Sequence, residues 1–184
     1  WGFGFLRMGT TGLVAQAWGG GDHKEVQATL YRGLLIACGL AMAIVMLQTV
    51  VAWLSFTVLD ASPQVEGAAR RYFEARVWGA PAALANYVIL GWFLGMQNAR
   101  VPLLLQLVTN GINILLDLWF VIGLGWDVTG VALATVIAEY GGVALGSILI
   151  WRRLRREGGL RMSRQSLFRK EAFRRLFALN RDIL

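Results

Sequence analysis

Read for the order of apolar and polar positions, the chain falls into long oily runs parted by short polar breaks. Four runs, roughly 31–59, 77–98, 101–125 and 128–151, each hold the about 20 mostly apolar residues that a helix needs to cross a bilayer. The breaks are DASPQVEGAARR at 60–71, QNARVP at 97–102 and GWDVTG at 125–130. The last two are short enough to make their flanking helices antiparallel neighbours. The runs are continuous rather than alternating, which argues against barrel strands. A fifth helix is expected in WGFGFLRMGTTGLVAQAWGGGD, which lacks an initiating methionine and is already apolar at residue 1. AFRRLFALNRDIL, residues 172–184, turns apolar again and stops short of a crossing. Both ends are therefore expected to lie inside a longer protein. The stretch Ser62–Arg76 is amphipathic, with a helix start at Ser62-Pro63, where proline suits the first turn, and is expected along the outer interface.

Composition agrees with this pattern: 57% of residues are hydrophobic and 16% charged, and the mean hydropathy is +0.54. The fold class expected is all-α, a polytopic membrane helix bundle. Net charge is +7, but ten of the eighteen Lys and Arg lie within residues 151–175, directly after the last apolar run. A basic segment in that position marks the cytoplasmic side and meets anionic lipid. It carries no recognition motif or aromatic platform, so no nucleic-acid partner is expected. The crossings then alternate backwards from a cytoplasmic residue 151, putting Arg70, Arg71 and Arg76 outside, offset by Asp60, Glu66 and Glu74. The single cysteine, Cys38, lies in an apolar run and reads as packing. His23 stands alone in a loop, GGGD at 19–22 reads as a turn, and neither a GxSxG nor a phosphate loop occurs.

The informative residues are the polar ones inside the oil. Asn110, Asn113 and Asp117 follow one another by three and four positions and so share one helix face. In the next run Thr135 and Glu139 are four apart, followed on about the same side by Gly142 and Gly146. With the turn near Trp126, Asp117 and Thr135 are equally far from it and are expected at one depth. A carboxylate, an amide carbonyl and a hydroxyl together suit a hard cation or a proton and do not suit zinc or copper. The plainer alternative is that Asp117 only holds helices together. Glu139 is evenly divided between a site role and packing. Asn86 is either polar glue or cavity lining, and Arg7, near Thr10 and Thr11, either lines the cavity or snorkels outward. Pro81 is expected to bend its helix, and Gly91 with Gly95 forms a GxxxG pair for close helix contact.

The segments FLRMGTTGLVAQAWG, APAALANYVILGWFLGMQNARVP, NILLDLWFVIGLGWDVTGVALATVIAEY and ALNRDIL resemble the DinF-like branch of the multidrug and toxic compound extrusion (MATE) transporters, over nearly the whole chain. The resemblance implies a fold of twelve helices in two lobes, of which residues 1–151 would be helices two to six of the N-lobe. Residues 152–171 would be the cytoplasmic interlobe linker and 172–184 the start of helix seven. It implies export of organic, often cationic, drugs or amphiphiles in exchange for sodium or protons, across a bacterial inner membrane. No other cofactor is implied. Carried over residue by residue, the family's N-lobe cation site falls on Asn113, Asp117 and Thr135. The family places a further aspartate on helix one, outside this chain, so helix one and the C-lobe of the same protein are implied partners. The alternatives are a flippase of lipid-linked intermediates, a membrane-embedded enzyme using Asp117 and Glu139 as acid and base, and a structural subunit. The residues leave sodium and proton open.

Overall fold

The computed structural model describes residues 3–58 and 62–159. The expected linker and helix-seven segments lie outside the described residues from 160 onward. Six helices follow in chain order: α1 Gly4–Gly19, α2 His23–Val58, α3 Pro63–Arg76, α4 Ala80–Gly95, α5 Arg100–Asp117 and α6 Val128–Arg156. A 3₁₀ turn, Val77–Gly79, joins α3 to α4, and a π-helical stretch, Leu118–Gly123, extends α5. No strand occurs among the described residues. Four helical stretches are long and apolar enough to cross a membrane: His23–Thr57, Pro63–Gly95, Arg100–Gly123 and Val128–Arg156.

Water exclusion cannot drive helices together inside lipid, so close packing of small residues takes its place. The Gly91 and Gly95 pair does this between α4 and α1. A Cβ on Gly91 would stand 2.6 Å from the Arg7 carbonyl oxygen, and one on Gly95 would stand 2.6 Å from Val14 Cβ. On α6, a Cβ on Gly146 would meet Ile89 of α4 at 2.9 Å. Trp92 on α4 is fully buried and donates its indole N–H to the Val26 carbonyl, 2.9 Å away on α2. The core thus lies among α1, α2, α4 and α6, while α5 packs mainly along α6. Outward faces are oily, as the bilayer demands: Met46 and Trp53 on α2, Leu115 on α5 and Ile122 on the π-helical stretch are all more than half exposed.

Several expectations are corrected. The amphipathic stretch forms α3, which runs through the 3₁₀ turn into α4 and packs on α6. Pro81 sits within the first turn of α4, directly after the 3₁₀ turn that interrupts the helical stretch Pro63–Gly95, where its missing N–H leaves no α-helical ladder bond broken. Cys38 is exposed rather than packed, on a side of α2 that also exposes Leu35 and Met42. His23 begins α2, with its ring edge-on to Trp18 at 5.2 Å. Asp22 caps this start by accepting the Glu25 N–H at 3.0 Å. Helix α6 continues through Arg156, five residues into the segment read as linker.

Candidate functional site

Helix α5 carries its polar residues toward α6 and α4, and most of them meet in one cavity of about 280 Å³. Asn110 and Asn113 of α5, Thr135 and Glu139 of α6, and Asn86 of α4 all line it, together with Thr109. The antiparallel pairing brings Asn113 to Thr135: the Asn113 amide donates to the Thr135 hydroxyl at 3.2 Å, and that hydroxyl donates to the Val131 carbonyl at 3.0 Å. The threonine is therefore fixed by its own helix and presents an oxygen to α5. Asn86 donates to the Glu139 carbonyl at 2.9 Å. Asn110 accepts from Gln106 at 2.8 Å, one turn along α5. Gly142 makes room for this junction, since a Cβ there would stand 2.6 Å from the Thr109 hydroxyl.

Asp117 is the last residue of α5, one turn beyond Asn113, and the π-helical stretch starts immediately after it. It does not line the 280 Å³ cavity. Its Oδ1 is buried without a hydrogen-bond partner among the described residues. Such an atom is rare, because a buried oxygen stripped of water and left unpaired is costly. The hydrogen bond of Thr135 goes to Asn113, four residues farther from the turn than Asp117. The π stretch and the loop shift the register relative to a simple count from Trp126. The Trp126 N–H bonds back to the Phe120 carbonyl at 2.8 Å, folding the end of the π stretch into the turn.

Glu139 has a different surrounding. Arg76 at the end of α3 grips its carboxylate with both guanidinium nitrogens, at 2.6 and 3.0 Å. Gly79 clears space for the pair: a Cβ there would meet Arg76 Nη1 and stand 2.8 Å from Glu139 Oε2. The carboxylate thus borders the cavity but is already neutralised by a neighbouring helix. Arg7 lies apart from the cavity, exposed on α1, where its carbonyl accepts the Thr11 hydroxyl at 2.7 Å. The other outward arginines also find acids, Arg70 with Glu66 at 3.5 Å and Arg71 with Asp127 at 3.6 Å.

Two features were not anticipated from the sequence. Arg32 is 1% exposed and pairs with Glu25 at 2.6 Å. A spacing of seven, two helical turns, is the signal that could have found it, but Glu25 lies ahead of the apolar run at 31–59. The π stretch after Asp117 has no comparable signal, because LWFVIG is an ordinary apolar segment.

The MatE family model matches residues 2–119, which include α5 and Asp117. The chain belongs to the MatE family. It is a multi-pass membrane protein of that family's fold. It is 45% identical over 180 residues to the DNA damage-inducible protein F of Escherichia coli (strain K12), a match covering 98% of this chain and 39% of that protein. Two solved structures of a multidrug resistance MATE family transporter of the MOP superfamily also match. The inward-facing conformation does so with a TM-score of 0.82 at 20% identity, covering 96% of this chain and 40% of the other. The outward-facing conformation gives 0.82 at 22% identity, covering 95% and 39%. The chain thus spans about two fifths of the length of these MatE relatives.

Proposed function

We propose that the full-length protein is a cation-coupled antiporter of the bacterial inner membrane, exporting organic, often cationic, compounds by alternating access. A proton or sodium ion would be taken at Asp117, with Asn113 and Thr135 as neighbouring oxygen donors. The observation that carries this reading is the unpartnered, buried Asp117 Oδ1 one turn from the Asn113–Thr135 hydrogen bond. A carboxylate in a dry helical bundle favours whatever supplies it with a positive charge. Oxygen atoms from an acid, an amide and a hydroxyl are the donors that hard cations take.

In this reading charge is the switch. With the cation absent, the Asp117 carboxylate favours a helix arrangement open to water; with the cation bound, a drier arrangement becomes accessible. Export follows when cargo and cation prefer opposite states. The similar likeness of this chain to an inward-facing and an outward-facing fold supports a lobe that moves as one body about its partner lobe. The Arg76–Glu139 pair fits that picture, because it ties α3 to α6 across the lobe. Glu139 is on this view an internal tie and not a second ion ligand, and acid–base chemistry between it and Asp117 has no support from its pairing.

The test is transport by the full-length protein in sealed vesicles loaded with a fluorescent cationic dye, under a sodium or a proton gradient applied separately. Dye efflux driven by one gradient supports the reading and names the ion. No dye efflux from folded protein that moves a lipid-linked cargo would replace it with a flippase.

A further inference from the structure

At the basic end of the bundle, away from the cavity, α2 and α6 leave a groove of about 390 Å³ between them. Its lining is mostly hydrocarbon, with Leu30, Leu34, Ile150 and Leu154 among its residues. On α6 the lining runs from Ser147 to Arg155, about 12 Å at 1.5 Å per residue. It ends at an arginine whose guanidinium lies 4.1 Å over the Trp151 ring. That ring is 53% exposed, as expected of a tryptophan where hydrocarbon meets head groups.

Charge around the groove's end is mostly positive, since Glu25 at the start of α2 is taken by Arg32. The last turns of α6 carry Arg152, Arg153, Arg155 and Arg156 against Glu157, and Glu157 is taken by Arg153 at 3.0 Å. Arg152, Arg155 and Arg156 have no acidic partner among the described residues and are exposed. An oily slot closing on unpaired guanidinium groups matches an amphiphile with an acyl chain and an anionic head. The chain's own continuation is a poor match, since residues 160–184 carry seven Lys and Arg against two acids.

We infer that the groove between α2 and α6 is a binding site for one anionic phospholipid of the cytoplasmic leaflet. The acyl chain lies along Leu30, Leu34 and Ile150, and the phosphate meets Arg155. Arg152 and Arg156 add attraction without defining the slot. The lipid would thereby brace the ends of α2 and α6 against each other. The site is independent of the cation site and of which cargo is moved.

The experiment is native mass spectrometry of the full-length protein in non-ionic detergent, titrated with phosphatidylglycerol or phosphatidylcholine of identical chains. Preferential retention of one phosphatidylglycerol is expected. Arg155→Gln should weaken it about fivefold, the effect of losing one basic residue near a lipid surface. Ser147→Trp, which fills the slot, should weaken retention of both lipids. The double change Arg70→Gln, Arg71→Gln at the opposite end removes more charge and should leave retention unaltered. Glycerophosphoglycerol, the head group without chains, should not compete. Equal retention of the two lipids would overturn the site. So would equal losses in Arg155→Gln and the opposite-end control, or competition by the head group alone.

Discussion

Asp117 and Glu139 stand on neighbouring antiparallel helices, and the described residues supply a guanidinium to Glu139 while leaving an oxygen of Asp117 buried and unpaired. The difference predicts different consequences of neutralising them. Removing either partner of Arg76–Glu139 strands a largely buried charge, so Glu139→Gln and Arg76→Gln should each lower stability by about 1–3 kcal/mol. The double variant should lose less than the sum, which a comparison of the four Tm values reads directly; additive losses would mean that the pair contributes nothing as a pair. Thr135→Val removes the hydroxyl that Asn113 meets while keeping the side chain's shape. It is expected to leave the fold intact and weaken cation affinity about tenfold, equivalent to roughly 1.4 kcal/mol. Unchanged ion dependence of transport in that variant would remove Thr135 from the site. The polar stripe itself was legible in the sequence because it needs only helical spacing. The Arg76–Glu139 pair was not, because its members are 63 residues apart and only the packing of α3 on α6 joins them.

At the scale of elements, glycine decides how closely the helices approach. Gly91 of α4 faces the α1 backbone, whereas Gly39 of α2 has nothing within 4 Å of an added Cβ. Gly91→Val should therefore separate α1 from α4 and lower Tm. Gly39→Ala should be neutral or stabilising by up to about 1 kcal/mol through helix propensity. Equal effects of the two would show that close approach is not what the GxxxG pair provides. The four membrane-length helices and the antiparallel pairing of α5 with α6 were readable from hydropathy alone. Helix boundaries were less so: α2 starts at His23, ahead of the apolar run, because the Asp22 cap and the pairing of Glu25 with the buried Arg32 carry it there. Residues 60–71 read as a polar break, yet most of them lie in α3, where Arg70 finds Glu66 on its own helix and Arg71 finds Asp127 just before α6. The π stretch escaped because it is a property of the backbone ladder, and such stretches recur beside functional residues without a fixed composition. Its position directly after Asp117 is consistent with a helix locally rewound to set one side chain.

For the whole molecule, the described helices form one lobe-like bundle whose oily surface suits lipid and whose polar cavity lies between α4, α5 and α6. In the proposed cycle this bundle keeps its internal packing and changes its relation to a second lobe, with the charge at Asp117 setting the preference. That claim concentrates on one carboxylate, and Asp117→Asn tests it most directly because the amide keeps the size and removes the charge. The measurement is efflux of a fluorescent cationic dye from vesicles holding the full-length protein, wild type or Asp117→Asn, under separate sodium and proton gradients. The account predicts efflux driven by one of the gradients in the wild type and its loss in a variant that folds and inserts normally. Full gradient-driven efflux in Asp117→Asn would contradict it and leave Asp117 a structural residue.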